Sequence, residues 1–382
     1  MKLLAPSLQR YAWGSKSYIQ DLISLPHEGV IAEMWLGAHS KAPARIGEHS
    51  LEQVIAQNPE LWIDPSLMSK TRTLPYLLKV LAADEPLSIQ VHPNKTQAEQ
   101  GFAREEALGI ALDDPRRSYK DSNHKPELIM ALTPFTALCG IRDFRQIIRI
   151  FEAYDIGKYL PAYPRFRASA DQDSFRALYT QILSGRLDGI EEQLNQLEPV
   201  EDYQDELIWA RRLAVKYPGD PFIIAPFIMN LITLSPASAM FLAAGIPHAY
   251  LQGAGVEIMA ASDNVLRAGL TPKHIDKADL LNIARLEPYT PGIITVPDTQ
   301  NILHRYPVPV EDFALLSCKL HNEMLLPELN KPAIILCLEG NIRLQKGEEV
   351  LDLPKGRAAI IGNEDRQIMA KGSAYFVVAM PG

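Results

Sequence analysis

Cysteine is scarce in this 382-residue chain, and Cys139, Cys318 and Cys337 lie far apart with no CxxC pair. Such a set predicts no disulfide framework and no cysteine-based zinc site, and it fits a reducing cytoplasm. No apolar run approaches the roughly 18 residues of a membrane span. Met1 to Arg10 carries one early lysine but lacks the apolar stretch of a secretory signal. Positive charge is also short. The formal charge of −8 argues against nucleic acid as a partner, while leaving room for a locally positive cleft that takes a small anion. Low-complexity segments and exact internal repeats are missing. What is present, 47% hydrophobic and 22% charged residues over 382 positions, is the composition of a globular protein of two to three domains. A cytoplasmic monomer without membrane contact is expected.

Short β-type segments occupy the first 140 residues: Val30 to Trp35, Tyr76 to Leu81, Leu87 to His92 and Glu127 to Leu132. One helix interrupts them, from Thr96 as N-cap through Ala107, with Glu99 three residues on. The middle then changes period. Phe144, Ile147, Ile148 and Phe151 follow i, i+3, i+4, i+7, as do Phe175, Leu178, Tyr179, Ile182 and Leu183. Ile190 to Leu197 and Leu207 to Val215 predict two more helices, the last stopped by Pro218-Gly219. Strand character returns at Leu231 to Leu234, Ala239 to Leu242 and Val256 to Met259. A last group follows after about Gln300: Phe313 to Leu320, Ala333 to Leu338, Asn341 to Gln345, Ala358 to Ile361 and Tyr375 to Ala379. Gly340-Asn341 reads as a hairpin turn there. The expected fold is mainly β with an α-helical insertion, its strands forming jelly-roll barrels. The expected units are a discontinuous β domain (1–140 and 226–305), a helical domain (141–225) and a C-terminal β domain (306–382).

Chemistry concentrates in the first β region. In Pro86-Leu-Ser-Ile-Gln-Val-His92, Leu87, Ile89 and Val91 take one face of a strand, and Ser88, Gln90 and His92 the other. An amide oxygen and an imidazole two positions apart can grip one ion from one side. Glu127 opens an otherwise apolar strand after Pro126, where a carboxylate is costly to bury unless paired or metal-bound. His248 lies in a tight turn, Gly245-Ile-Pro-His-Ala-Tyr250. Taken singly, each has an ordinary structural explanation. Taken together, two nitrogens and two oxygens suit Zn²⁺ best, and the single formal negative charge leaves the ion strongly Lewis acidic. A polar loop from Ala261 to Asp276 holds Asp263, Arg267, Lys273, His274 and Asp276. It reads either as a solvated loop or as an anion-binding one, with Arg267 facing developing negative charge.

These stretches resemble the type I mannose-6-phosphate isomerases of the cupin superfamily. The resemblance rests on Tyr11-Ala-Trp-Gly-Ser15, Ala32-Glu-Met-Trp-Leu-Gly-Ala-His39, Ser88-Ile-Gln-Val-His-Pro-Asn-Lys95, Lys125-Pro-Glu-Leu128, Gly245 to Tyr250, and Ser262-Asp-Asn-Val-Leu-Arg-Ala-Gly-Leu270. It implies a cupin-type catalytic barrel, an inserted helical domain and a C-terminal β domain. It also implies one zinc held by Gln90, His92, Glu127 and His248, an essential Arg267, and interconversion of mannose 6-phosphate and fructose 6-phosphate. The base stays open among His124, Lys125, Glu257 and Asp263. Ser88, Tyr250, Trp13 and Lys95 are candidate substrate contacts, and Lys79, Lys95 and Lys273 candidate phosphate partners. A sugar-binding cupin without activity, or an Fe²⁺ oxygenase on the same barrel, would share much of this pattern.

Overall fold

In the computed structural model, which describes residues 1–66, 68 and 71–382, nearly all strands fall into two large antiparallel sheets. The 11-stranded sheet holds the polar segments singled out above. Its centre is the long strand His248–Ala260. The C-terminal part of this strand pairs with Tyr76–Ala83 and Glu127–Ala131, and its N-terminal part with Ile89–Val91 and Phe135–Ile141. The change of partners falls at Gly253, where φ is +122° and a Cβ would sit 2.6 Å from the Pro134 carbonyl oxygen. Only glycine fits a backbone turned that way against another chain segment.

Strand Tyr76–Ala83 shows why this sheet can serve two purposes. All eight of its residues are buried. Side chains alternate between faces. Tyr76, Leu78, Val80 and Ala82 pack into a core shared with Ile334, Leu336 and Val377 of the second sheet. Leu77, Lys79 and Leu81 face a cleft instead. The Tyr76 hydroxyl donates to the carbonyls of Pro332 (2.9 Å) and Ala379 (3.0 Å), which satisfies its one polar atom inside the interface.

The seven-stranded sheet is built from the C-terminal segment, dominated by Ala314–Leu325, Ala333–Lys346 and Met369–Met380. The chain's first strand, Lys2–Leu4, adds to this sheet beside Ala358–Ile361 rather than to the 11-stranded one. Helices fill the span from Phe144 to Ile228. Their apolar stripes, including Phe144, Phe166, Phe175 and Tyr179, make one core that reaches Ile89, Val91 and Leu266 of the 11-stranded sheet. Among the described residues, no helix is long and apolar enough to cross a membrane.

Several local expectations are corrected. The helix after His92 is Lys95–Ala107, and its cap is Asn94 rather than Thr96. The Asn94 side chain accepts from the Gln97 amide (2.9 Å), and the Gln97 side chain accepts from the Asn94 amide (2.9 Å). This reciprocal pair outcompetes a threonine one residue later. Residues 333–346 are one continuous strand, not a hairpin. The register shifts at a bulge between Cys337 and Glu339, Gly340 (φ +72°) stays paired with Ala374, and the chain reverses only at Gly347. His248 is the first residue of a strand, not part of a turn. Helix Tyr163–Ser169 was not anticipated, because Pro164 near its start and only seven residues leave little periodicity to read.

Candidate metal centre and active-site cleft

The site begins with strand register. Arg267 stands opposite Gln90, and Gln90 opposite His248. Directly opposed residues share a face, so these three side chains form one row across three strands. Two residues beyond Gln90, on the same side, comes His92. Glu127 arrives from the other half of the sheet, opposite Met259.

Glu127, His92 and His248 are buried, at 4%, 1% and 4% exposure. One ligand atom from each lies within 4.8 Å of the others. His92 Nε2 is 3.3 Å from Glu127 Oε1, and His248 Nε2 is 3.4 Å from Glu127 Oε2. The opposite ring nitrogens are already committed. His92 Nδ1 donates to the Asn264 carbonyl (2.7 Å) and His248 Nδ1 to the Ile246 carbonyl (2.9 Å). That tautomer leaves both Nε2 atoms as bare lone pairs. Burial pushes the His92 pKa down to about 4 against the pull of Glu127, so the ring stays neutral at pH 7. Burial raises the Glu127 carboxyl, yet the neighbouring His92 and Lys125 hold it well below its ordinary range.

Two imidazole lone pairs therefore face a carboxylate, which is repulsive unless a cation sits among them. Consistent with that, His92 Nε2 is buried and makes no hydrogen bond; its 3.3 Å approach to Glu127 has ion-pair distance without hydrogen-bond geometry. Carbonyl-anchored imidazoles with free Nε2 atoms are the usual presentation of histidine to a metal. The residues present fit one metal ion. Gln90 lines the same cleft beside them.

Above the centre opens a cleft of about 370 Å³. Its floor carries buried charges in a connected set. Lys79 Nζ lies 2.9 Å from Glu257 Oε2 and 3.5 Å from Glu33 Oε1. Tyr250 donates to Glu257 Oε1 (2.8 Å) and Trp35 Nε1 to Glu33 Oε2 (2.7 Å). Burial works against the Lys79 charge, but Glu257 and Glu33 outweigh it and keep the ammonium protonated. Glu257 moves the other way. Burial raises its carboxyl pKa, Lys79 offsets part of that, and the charges of Glu127 and Glu33 add to the rise. Lys125 Nζ stands 3.3 Å from Glu127 Oε1.

Part of the cleft's lining is positive. Arg267 and Lys273 both belong to it, and among the described residues neither has a carboxylate partner. Burial alone lowers the Arg267 pKa. Burial lowers the Lys273 pKa too, and so does the charge of Arg267. Two cations facing each other without a counter-ion form a place for an anion. Asp263 is on the rim, bound to His39 (3.2 Å) and Lys41 (2.6 Å). Burial would raise it, but those hydrogen bonds hold its carboxyl far below the usual range, so it is a poor base.

Ser88, Trp13, Tyr250, Glu257, Lys125, Asp263 and Arg267 all line the cleft, as does Lys79. His124 and Lys95 do not. His124 Nε2 is 3.0 Å from Asp312, and Lys95 Nζ donates to the Ser122 carbonyl (2.9 Å) on the outer surface. Their sequence neighbours pointed to them, but alternation and the helix start turn both outward. Of the loop from Ala261, His274 and Asp276 also fall outside the lining, where Asp276 caps helix Lys277–Ile283. Asn264 was overlooked as a contributor. It is fully buried, and its side chain accepts from the Lys120 amide (2.7 Å) and donates to the carbonyls of Asp121 and Asn123 (2.8 Å each). This network fixes the carbonyl that orients His92. An asparagine inside the Ser262–Leu270 stretch, one residue after Asp263, was the available signal.

Comparison with known proteins agrees with this geometry. A family model for the catalytic domain of type I phosphomannose isomerase matches residues 1–144, and one for the mannose-6-phosphate isomerase cupin domain matches residues 303–381. The mannose-6-phosphate isomerase of Escherichia coli (strain K12) is 38% identical, over 97% of each chain. That of Homo sapiens is 32% identical, over 94% of this chain and 92% of its own. A solved mannose 6-phosphate isomerase bound with zinc and yttrium superposes with a TM-score of 0.92 at 36% identity, covering 100% of this chain and 99% of that one. The apo form from Salmonella typhimurium gives the same score, identity and coverage. With its sequence, sheet architecture and metal-binding cluster all in agreement, the chain belongs to the type I mannose-6-phosphate isomerase family.

Proposed function

We propose that the chain interconverts mannose 6-phosphate and fructose 6-phosphate by moving a proton between C1 and C2 through an enediolate. Gln90, His92, Glu127 and His248 hold one zinc ion in this reading. The observation that carries it is the pair of bare imidazole nitrogens facing an ionised carboxylate, beside a cleft lined by Arg267 and Lys273, which have no carboxylate partner among the described residues. Bound there, zinc supplies a Lewis acid that lowers the energy of negative charge developing on the substrate oxygens.

The remaining work falls to side chains. A base takes the proton from C2 of the aldose, the C1 carbonyl oxygen gains the electron pair, and the proton returns at C1 of the enediolate while a hydroxyl proton passes from O2 to O1. Glu257 and Lys125 are the groups placed for the carbon-bound proton. Environment raises the Glu257 pKa from the ordinary carboxylate value, the direction a base working near neutral pH requires. Asp263 is better suited to holding His39 and Lys41. Arg267, in the same cross-strand row as Gln90 and His248, faces the enediolate charge. Lys273 beside it takes the phosphate. Ser88, Tyr250 and Trp13 shape the wall, and the apolar side chains of Leu77, Leu81 and Met259 keep the sugar's surroundings dry.

Removing metal with a chelator abolishes isomerisation on this account, and zinc or cobalt restores it. Full turnover by exhaustively stripped protein would sink it. A sugar-binding protein without activity would produce no fructose 6-phosphate in the same assay, and an oxygenase would consume oxygen.

A further inference from the structure

One segment of the helical insertion touches two stretches that line the cleft. After helix Gln204–Lys216 the chain runs through Tyr217 to Phe222 and back toward the sheet. The Tyr217 hydroxyl donates to the Pro86 carbonyl (2.6 Å), at the start of the segment that carries Ser88 and Gln90. Three residues on, Asp220 uses both carboxylate oxygens. Oδ1 accepts from the Phe222 amide (2.8 Å) and Oδ2 from the Thr271 amide (3.2 Å). Thr271 Oγ1 in turn accepts from the Lys273 amide (3.1 Å). Phe222 lies so close to Gly269 that a Cβ there would be 2.4 Å from its ring. Gly269 is two residues past Arg267 on the same strand, Leu266–Gly269.

The backbone between these contacts is strained. Leu270 has φ +55°, in the left-handed region that costs a branched side chain of its size about 1 kcal/mol or more. A conformation of that kind persists only where surrounding contacts over-determine it. Here they are Phe222 packed on Gly269 before it and Asp220 bonded to Thr271 after it. Leu270, Thr271, Pro272 and Lys273 all line the cleft.

We propose that Tyr217–Phe222 is a strut that holds the Leu270–Lys273 turn beside the paired strands of Gln90 and Arg267, with Asp220 as the positioning residue for the substrate's phosphate. This rests on the reading that Lys273 takes the phosphate. Asp220 touches no substrate. It holds the turn that carries Lys273.

The test uses the full-length, metal-loaded protein and Asp220→Asn. Asparagine keeps the shape but has one acceptor oxygen for two amides. Losing one such charge-assisted bond is worth roughly five- to tenfold in affinity. Inorganic phosphate affinity, measured by calorimetry, is expected to fall by about that factor. KM for mannose 6-phosphate is expected to rise equally, with kcat and bound metal near native. Tyr217→Phe removes the other tether and is expected to shift the same two quantities in the same direction by a smaller factor, so the idea stays testable if Asp220→Asn folds poorly. Unchanged phosphate affinity and KM in a folded variant would overturn the strut, as would a loss confined to kcat. Calorimetry reads phosphate without turnover. A native protein that isomerises nothing, yet whose phosphate affinity drops on Asp220→Asn, would therefore sink the isomerase reading alone.

Discussion

The two large sheets are built alike and bury different things. Inside the seven-stranded sheet, the facing runs Ile334 to Cys337 and Phe376 to Ala379 are apolar throughout. Its buried charges, Lys331, Asp365 and the N-terminal ammonium, stay in loops and at the chain start; the Lys331 ammonium donates to the Asp365 carbonyl and the N-terminal ammonium lies 2.8 Å from the Asp365 carboxylate. The 11-stranded sheet buries Glu33, Lys79, His92, Lys125, Glu127, His248 and Glu257, all around one cleft. Taking an ion out of water costs several kcal/mol unless partners compensate. One sheet avoids that cost and the other bears it in one place. Function in this fold therefore resides in which face of which strand carries charge, not in the sheet itself.

Exchanging the two kinds of damage tests that contrast. The largest effect is expected from Glu127→Ala, which removes the one carboxylate that the described residues bring to the cluster of His92 and His248; turnover and bound metal should vanish together while the fold persists. Arg267→Ala comes next. Losing one preorganised donor typically costs ~10²–10³ in turnover, with metal still near one per chain by elemental analysis. Normal turnover would take Arg267 out of the chemistry. Phe376→Ala, in the core of the other sheet, is expected to do the reverse. It should lose ~3–5 kcal/mol of stability by denaturant unfolding and leave kcat per folded molecule intact.

A pH titration sharpens the comparison further. The folded His92 pKa is about 4, below the 6.5 of a free histidine, because burial opposes its charge. A depressed pKa contributes stability that is complete above 6.5 and is lost as pH falls toward 4. Glu127, held low beside His92 and Lys125, adds a loss of the same sign below 4.5. Metal-free protein should thus weaken between pH 6.5 and 4 more than metal-free His92→Asn. The smallest effect belongs to Lys95→Ala. Its exposed contacts with Ser122 and Glu99 are worth ~0–1 kcal/mol, and turnover should be unchanged.

Much of this was readable from residue order. The alternation in Leu87 to His92 and the carboxylate opening Glu127 to Leu132 placed Gln90, His92 and Glu127 on strand faces, because a period of two leaves no other option. The helical insertion was visible from the spacing of Phe144, Phe175 and Leu207. What sequence could not convey is register and partnership. Nothing local to Arg267 says that it stands opposite Gln90, or that Lys79 meets Glu257 across 178 residues. Lys79 did carry a signal of its own, as the one charge in an all-buried strand. His124 and Lys95, near ligand candidates in sequence, lie outside the cleft lining. Closeness along the chain to a ligand is not closeness in space.

Zinc K-edge X-ray absorption of the reconstituted protein tests the central claim most directly. The account predicts one zinc per chain with two imidazoles, oxygen donors at about 2.0–2.2 Å and no sulfur, and loss of that spectrum in Glu127→Ala. A sulfur shell, or an unchanged spectrum in Glu127→Ala, would contradict it.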